Sequence, residues 1–329
     1  MKDKGKYYCV LLEKNSKILS YSQVSLADLP DEYVLIKVHY SNYNNKDFLV
    51  ANGLEGSRRS YPHTLGLDAA GEVVETKCSE YIAGDLVAVL ATQAGISLAG
   101  GFSEYLMMPA SSIAQIPENF TTRDIMLFGT AGLTAALAVR TLISDGKIDK
   151  DKPVLVTGGS SGVGVISIIL LIQNGFKVSV STSDKSAIRF LNSLGIDHIF
   201  NRIQNPRSNS FDLLPEKWAG CIDVVGGPGL NLISKSITQG GKIISVGSLA
   251  GDRFEINLNP FYLRGVSLLG VNTESLNSVD RGNLLLKNMT TEMISILDGI
   301  SLECNLNQVP ELMSSNYFSS NFGRHLIKI

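Results

Sequence analysis

The sequence predicts an α/β protein, a doubly wound parallel sheet joined to a second, β-rich domain. Three observations predict it. Residues 154–182 read VLVTGGSSGVGVISIILLIQNGFKVSVST, which is strand, glycine turn, helix and strand in succession. Strand and helix signals then alternate as far as Val271. Residues 1–122, by contrast, read as short strands punctuated by Gly, Pro and Asp.

In chain order, strands are predicted at 7–13, 33–40, 70–74 and 86–90, with Gly84-Asp85 as a hairpin turn before the last. Residues 102–108 form another strand between Gly100-Gly101 and Pro109. Thr121-Thr122-Arg123-Asp124 offers helix-cap residues, and Ala131 to Leu142 has helical spacing of Ala, Leu and Val. Later strands are predicted at 196–200, 221–225, 242–246 and 267–271, with helices at 186–194 and 229–238. Beyond Asn272 come a helix at 281–297, a loop, a short helix, and a final strand at 325–329 that returns to the β domain.

At 329 residues the chain is too long for one ordinary core, which favours two domains. A net charge of −2 with no basic or acidic block argues against nucleic-acid or anionic-membrane binding. The apolar run 163–172 is too short to cross a bilayer, and the N-terminus lacks the apolar core of a signal peptide. A cytoplasmic location is therefore expected. Cys9, Cys78, Cys221 and Cys304 are widely scattered, so neither disulfides nor a cysteine-rich metal lobe is expected.

The glycine turn carries the chemistry. Its register is Gly159-Ser160-Ser161-Gly162-Val163-Gly164, a G-x-G-x-x-G pattern with Ser161 in the middle glycine slot. Flanked by a strand and a helix, it is the opening unit of a dinucleotide-binding Rossmann fold. Small residues there let backbone N–H groups meet a pyrophosphate at the positive end of the helix. The next strand ends in Ser181-Thr182-Ser183-Asp184. An acidic residue at that strand end would bind the ribose 2′-OH of NAD, whereas hydroxyls or an Arg accept the 2′-phosphate of NADP. The slot falls on Ser183. Asp184 is suited to cap the following helix, and Arg202 is available to a phosphate.

Two further clusters merit attention. Asn44-Asn45-Lys46-Asp47 follows a strand and reads equally as a solvated turn or as part of a site. His63, in Tyr61-Pro62-His63-Thr64, reads as a turn or surface histidine. No nucleophile–base arrangement stands out, so a bound nicotinamide would carry the reactive hydride.

The landmarks assembled so far extend over essentially the whole chain. They include residues 40–47 (YSNYNNKD), 65–71 (LGLDAAG), 129–135 (GTAGLTA), 218–227 (WAGCIDVVGG) and 260–266 (PFYLRGV), together with the glycine turn. The chain thereby resembles the zinc-free quinone oxidoreductase branch of the medium-chain dehydrogenase/reductase superfamily, most closely its acrylyl-CoA reductase-like subgroup. The resemblance implies a GroES-like β domain from residues 1–122 and 273–329, a Rossmann domain from residues 123–272, and a cleft between them holding NADPH. It places Ser181, Thr182, Ser183 and Arg202 near the adenosine phosphate. Ser160, Ser161, Gly162, Val163, Ser248, Tyr262 and Thr273 fall near the pyrophosphate and nicotinamide, and Asn45 faces the cofactor. A homodimer paired through the Rossmann domain, with residues 267–271 near its edge, is also implied.

The resemblance has departures. The subgroup generally has tyrosine at the position of Asn45, and often Arg or Asn at that of Ser183. A zinc dehydrogenase would present Gly-His-Glu and an earlier cysteine. This chain has Gly66-Leu67-Asp68 and Asn44-Asn45, so no metal is expected. The activity expected is NADPH-dependent reduction of an activated C=C bond in a small-molecule thioester or enone, or reduction of a quinone. Asn45 and Lys46 are the candidates to orient the substrate or donate to it. The alternative is a nucleotide-binding protein of the same fold with little turnover. A zinc alcohol dehydrogenase is a weaker third reading.

Overall fold

The structure is a computed structural model that describes residues 5–14, 18–54, 58–146, 148–201, 203 and 213–329. The chain divides into two compact units. One comprises Met1–Leu133 with Thr273–Ile329, the other Thr134–Asn272.

The first unit begins with strands β1 (Lys6–Leu12), β2 (Leu19–Ser25) and β3 (Tyr33–Asn42), then helix α1 (Asn45–Ala51). Strands β4 (His63–Thr64), β5 (Ala69–Thr76), β6 (Leu86–Val89), β7 (Tyr105–Pro109) and β8 (Ile113–Gln115) follow. β1 lies between β2 and β4 in a small antiparallel sheet. A larger sheet holds β3, β5, β6 and β8 in that order, with β7 also on β3. The alternating apolar residues of these strands meet in one core that includes Val34, Ile36, Val73, Val87, Leu106 and Met108.

Helix α2 (Thr122–Ile143) begins in this unit and continues into the second. The division falls after Leu133 instead of at residue 122, because the first turns of α2 are held by the β unit. Asn42 and Arg324 donate to the Met126 and Leu127 carbonyls. The helix breaks at Gly129, where φ is 60° and ψ is −165°. By length and composition α2 could cross a membrane, yet 78% of its most apolar window is buried in the protein.

The second unit contains β9 (Val154–Thr157), α3 (Gly162–Gln173), β10 (Val178–Ser181), α4 (Ile188–Ser193), β11 (His198–Phe200), β12 (Trp218–Asp223), α5 (Gly229–Ser234), β13 (Ile237–Ser245), α6 (Asn259–Arg264) and β14 (Ser267–Gly270). Its six strands are all parallel, in the order β11-β10-β9-β12-β13-β14. The chain runs outward from β9 to β11, then crosses back to β12 on the other side of β9. That reversal makes the doubly wound fold and its switch point. Leu155, Cys221, Ile233 and Ile243 lie in its core, and burial of each of the three aliphatic side chains contributes about 1.5–3 kcal/mol.

The chain then returns to the first unit as α7 (Ser278–Asn288), α8 (Thr291–Asp298), β15 (Ser301–Asn305), α9 (Val309–Ser314), α10 (Tyr317–Ser320) and β16 (Arg324–Lys328). β16 pairs antiparallel with β3 and parallel with β15, completing the larger sheet.

Several expectations need correction. The helix expected at 281–297 is two helices, because Thr290 caps the second by accepting from Met293 N. The helix expected at 229–238 ends at Ser234, since Ile237 and Thr238 already belong to β13. His63 is not a surface residue. It lies in β4 against Leu12, only 3% exposed. The polar run after β3 is not a solvated turn either, but the start of α1, with Asp47 buried in it.

Candidate active site

In the second unit, the glycine turn joins the carboxyl end of β9 to α3. Ser161 is the N-cap of α3, accepting from Gly164 N (3.1 Å) and donating to the Gly158 carbonyl (2.8 Å). The serine in the middle glycine slot is thus used to close the turn. Gly164 must be glycine, for a Cβ there would stand 2.2 Å from the Gly158 oxygen. The first N–H groups of α3, including those of Gly162 and Val163, have no partner within the helix and suit an anion.

Ser160 Oγ accepts from Thr182 Oγ1 at 3.1 Å, which ties the turn to the end of β10. Ser181 is buried and donates to the Asn201 carbonyl at 3.3 Å, whereas Ser183 is exposed. Asp184 accepts from the backbone N and Oγ of Ser186, at 2.9 and 2.6 Å. Its Oδ1 therefore caps the next helical turn. Arg202 lies outside the described residues.

Sequence reasoning missed the pair at the switch point itself. Thr157 ends β9 and Asp223 ends β12. Thr157 Oγ1 donates to Asp223 Oδ1 at 2.6 Å and accepts from Val224 N at 3.0 Å. Asp223 Oδ2 accepts from Gly226 N at 2.9 Å. Burial pushes the Asp223 carboxyl up, and Thr157 with the backbone donors pulls the other way. With Ser181, Val225 and Gly226, these residues line a shallow, open depression. A Thr and an Asp just before two separate glycine turns were the available signal.

Ser248 is exposed in the loop after β13, its carbonyl accepting from Gly251 N. Tyr262 lies on α6 and is 69% exposed, with its hydroxyl donating to Asn259 Oδ1 at 2.7 Å. Ser248 lies close to the depression, since a Cβ on Gly226 would stand 3.1 Å from the Ser248 Cα; among the described hydrogen bonds, none links Ser248 or Tyr262 to the glycine turn.

In the first unit, Asn45 is the exposed first residue of α1. The entry to that helix is held by Asp47, which accepts from Asn44 N (2.8 Å) and Leu67 N (2.9 Å). Burial pushes the Asp47 carboxyl up to about 8, against the pull of these donors. Lys46 Nζ lies 2.5 Å from Glu274 Oε1, and Gln93 Nε2 donates to Glu274 Oε2 at 2.9 Å. Glu274 follows the buried Thr273 in a short 3₁₀ turn.

Beneath α1, Asp68 accepts from Thr130 N (2.8 Å), Thr130 Oγ1 and Asn44 Nδ2 (3.1 Å). Burial raises the Asp68 carboxyl, opposed by these bonds and by Arg324. Arg324, fully buried, is pulled down to about 10 by its own burial. Among the described residues there is no group of three or more His, Cys, Asp or Glu that would hold a metal ion.

A doubly wound sheet with a capped glycine turn at its switch point defines the dinucleotide-binding class of α/β proteins. Residues 30–118 match the family described as alcohol dehydrogenase GroES-like domain, and residues 162–288 match zinc-binding dehydrogenase. The chain is 37% identical to the putative quinone oxidoreductase YhfP of Bacillus subtilis, over 79% of this chain and 80% of the relative. It is also 37% identical to the acrylyl-CoA reductase AcuI of Ruegeria pomeroyi, over 76% of each. The crystal structure of the yhdH oxidoreductase from Salmonella enterica in complex with NADP superposes with a TM-score of 0.87 at 29% identity, covering 98% of this chain and 99% of that one. Bacillus subtilis yhfP with NAD bound gives a TM-score of 0.88 at 31% identity, covering 99% and 100%. The chain belongs to the quinone oxidoreductase branch of the medium-chain dehydrogenase/reductase superfamily, and it is an oxidoreductase.

Proposed function

We propose that the chain is an NADPH-dependent reductase of activated carbon–carbon double bonds, acting on an α,β-unsaturated thioester or carbonyl compound. The observation that carries the cofactor is at the end of β10. Asp184 is turned to its capping bonds, and the strand-end position is the exposed Ser183. The strand-end slot itself therefore carries a hydroxyl instead of a carboxylate, which favours a 2′-phosphate over a bare ribose 2′-OH. Relatives have been solved with NADP and with NAD, so the preference is read from these residues of the chain itself. The similarity to an acrylyl-CoA reductase supports the substrate class.

The residues present fit the dinucleotide, since the turn leaves room only for glycine at Gly164 and presents the first N–H groups of α3. When bound, NADPH supplies the hydride. Ser160, Ser161, Gly162 and Val163 would hold the pyrophosphate. Ser181, Thr182, Ser183 and Arg202 would take the 2′-phosphate, and Ser248, Tyr262, Thr273 and Asn45 would complete the contacts. As a β-carbon is reduced, negative charge builds on the substrate carbonyl oxygen, and donors must stabilise it. Asn45 and Lys46 fill that role, and water supplies the proton to the α-carbon. No metal takes part.

The test is oxidation of NADPH and NADH by the purified protein with an enoyl-CoA, an enone and a quinone. Turnover is expected with the thioester or enone and NADPH, and unchanged after dialysis against a chelator. Turnover with the quinone alone, equal use of NADH, or loss of activity with a removed stoichiometric metal would each overturn the corresponding part.

A further inference from the structure

Glu274 has no place in the scheme above, yet it engages one of the residues in it. Its two carboxylate oxygens are divided between Lys46 Nζ (2.5 Å) and Gln93 Nε2 (2.9 Å). Both holders sit on hydrogen-bonded backbone. Lys46 sits in the first turn of α1, which Asp47 pins to the backbone of Asn44 and Leu67. The Gln93 carbonyl accepts from the backbone N–H groups of Ile96, Ser97 and Leu98. Its side-chain oxygen accepts from Ser97 Oγ at 2.9 Å. The carboxylate thus has two side-chain partners, one of them itself held by Ser97, more than an isolated surface ion pair has.

The pair remains within reach of a ligand, since the Lys46 and Glu274 side chains are 35% and 32% exposed. A lysine ammonium has three donors and no acceptor. One donor is given to Glu274, and the carboxylate cancels the positive charge. What Lys46 can still offer is a hydrogen bond without net attraction for an anion. A free carboxylate brought to Lys46 would meet Glu274 as well, and like charges placed together disfavour that ligand.

We infer that Glu274 is a specificity-determining residue that masks the charge of Lys46, so that the site accepts an uncharged carbonyl acceptor, such as a thioester, ester or ketone, and rejects the corresponding free unsaturated acid. The inference rests on the proposed role of Lys46 toward the substrate carbonyl. It assigns Glu274 no contact with the reacting atoms.

The experiment compares crotonate with its uncharged ester methyl crotonate, by calorimetric titration into the full-length protein in the presence of NADP⁺, where no reduction occurs. The wild-type protein is expected to favour the ester. Glu274→Gln keeps the hydrogen bond to Gln93 and removes the charge. It should strengthen crotonate binding by about tenfold, the scale of one gained charge-assisted contact, and leave methyl crotonate unchanged. Adding Lys46→Met to Glu274→Gln should abolish that gain. Crotonate binding to Glu274→Gln that is absent, or within about twofold of wild type, overturns the inference, as does a gain that survives Lys46→Met. The proposed reductase activity fails separately, through absence of NADPH oxidation by the wild-type protein with the thioesters and enones.

Discussion

Replacing Gly129 with alanine should destabilise the β unit far more than an alanine at an ordinary helix-terminal glycine. Gly129 breaks α2 with φ 60° and ψ −165°, a region used almost only by glycine, and forcing another residue into it costs about 1–3 kcal/mol. A Cβ built there meets Asn42 Nδ2 at 2.3 Å, Asp68 Oδ2 at 2.9 Å and an Arg324 guanidinium nitrogen at 3.1 Å. Asn42 would have to leave the Met126 carbonyl, to which it donates at 2.7 Å, and its contact with Asn44 would open. A buried polar group losing its partner costs about 1–3 kcal/mol. Together these terms come to about 4 kcal/mol. Gly53→Ala, just past the end of α1 in the same unit, is the control, because Gly53 has φ 68° but no atom within 4 Å of a Cβ, leaving about 1 kcal/mol of backbone cost. In a unit of this size each kcal/mol lowers Tm by about 2–4 °C, so calorimetry should show a drop of about 8–16 °C for Gly129→Ala and about 2–4 °C for Gly53→Ala. Equal drops for the two variants would refute the role given to the buried polar web around Asp68.

The parts legible in the sequence were those whose physics is local. The glycine turn and α3 are specified within residues 154–173, where the β-branched run, the small residues and the cap adjoin one another. Asp184 as a cap was legible for the same reason. The Asp68 web was not, because Asn44, Thr130 and Arg324 reach it from widely separated segments. Neither was the Lys46–Glu274 pair, whose members are 228 positions apart. β2 carries little strand signal because its sequence LSYSQVS is rich in serine and only weakly alternating. The sequence signal for β13 starts late because Gly240-Gly241 interrupts its apolar pattern, although the strand runs through them from Ile237. The burial of His63 leaves no mark in the sequence, because a two-residue strand carries no periodicity and its partner is β1, about fifty positions away.

The remaining expectations concern cofactor, pH and assembly. Ser183→Asp would set a carboxylate where the 2′-phosphate is proposed to sit and should weaken NADPH relative to NADH by about tenfold or more; a titration with both nucleotides that shows no change in their ratio would remove Ser183 from that position. His63 and His325 are both held below the usual histidine range, chiefly by burial, so the stability they contribute is present above the ordinary pKa of about 6.5 and is lost as pH falls below it. Asp47 has the opposite sign, its contribution being lost as pH rises toward about 8, so the measurement is the difference in Tm between wild type and a His63→Gln, His325→Gln variant, which should shrink on going from neutral to mildly acidic pH and would disprove the assignment by staying constant. Finally, the protein is expected to be a homodimer through β14. Among the described residues this strand is the last of its sheet and pairs with β13 alone, its outer edge having no strand partner there, while Leu268 and Leu269 are each 37% exposed. Such an edge invites pairing with another chain, and a two-fold partner adding its own β14 satisfies the backbone groups of that edge and closes the assembly at two copies. Leu269→Lys places a charge in that junction and should give monomers or aggregates, whereas a monomer mass for the unaltered protein by light scattering at micromolar concentration would rule the arrangement out.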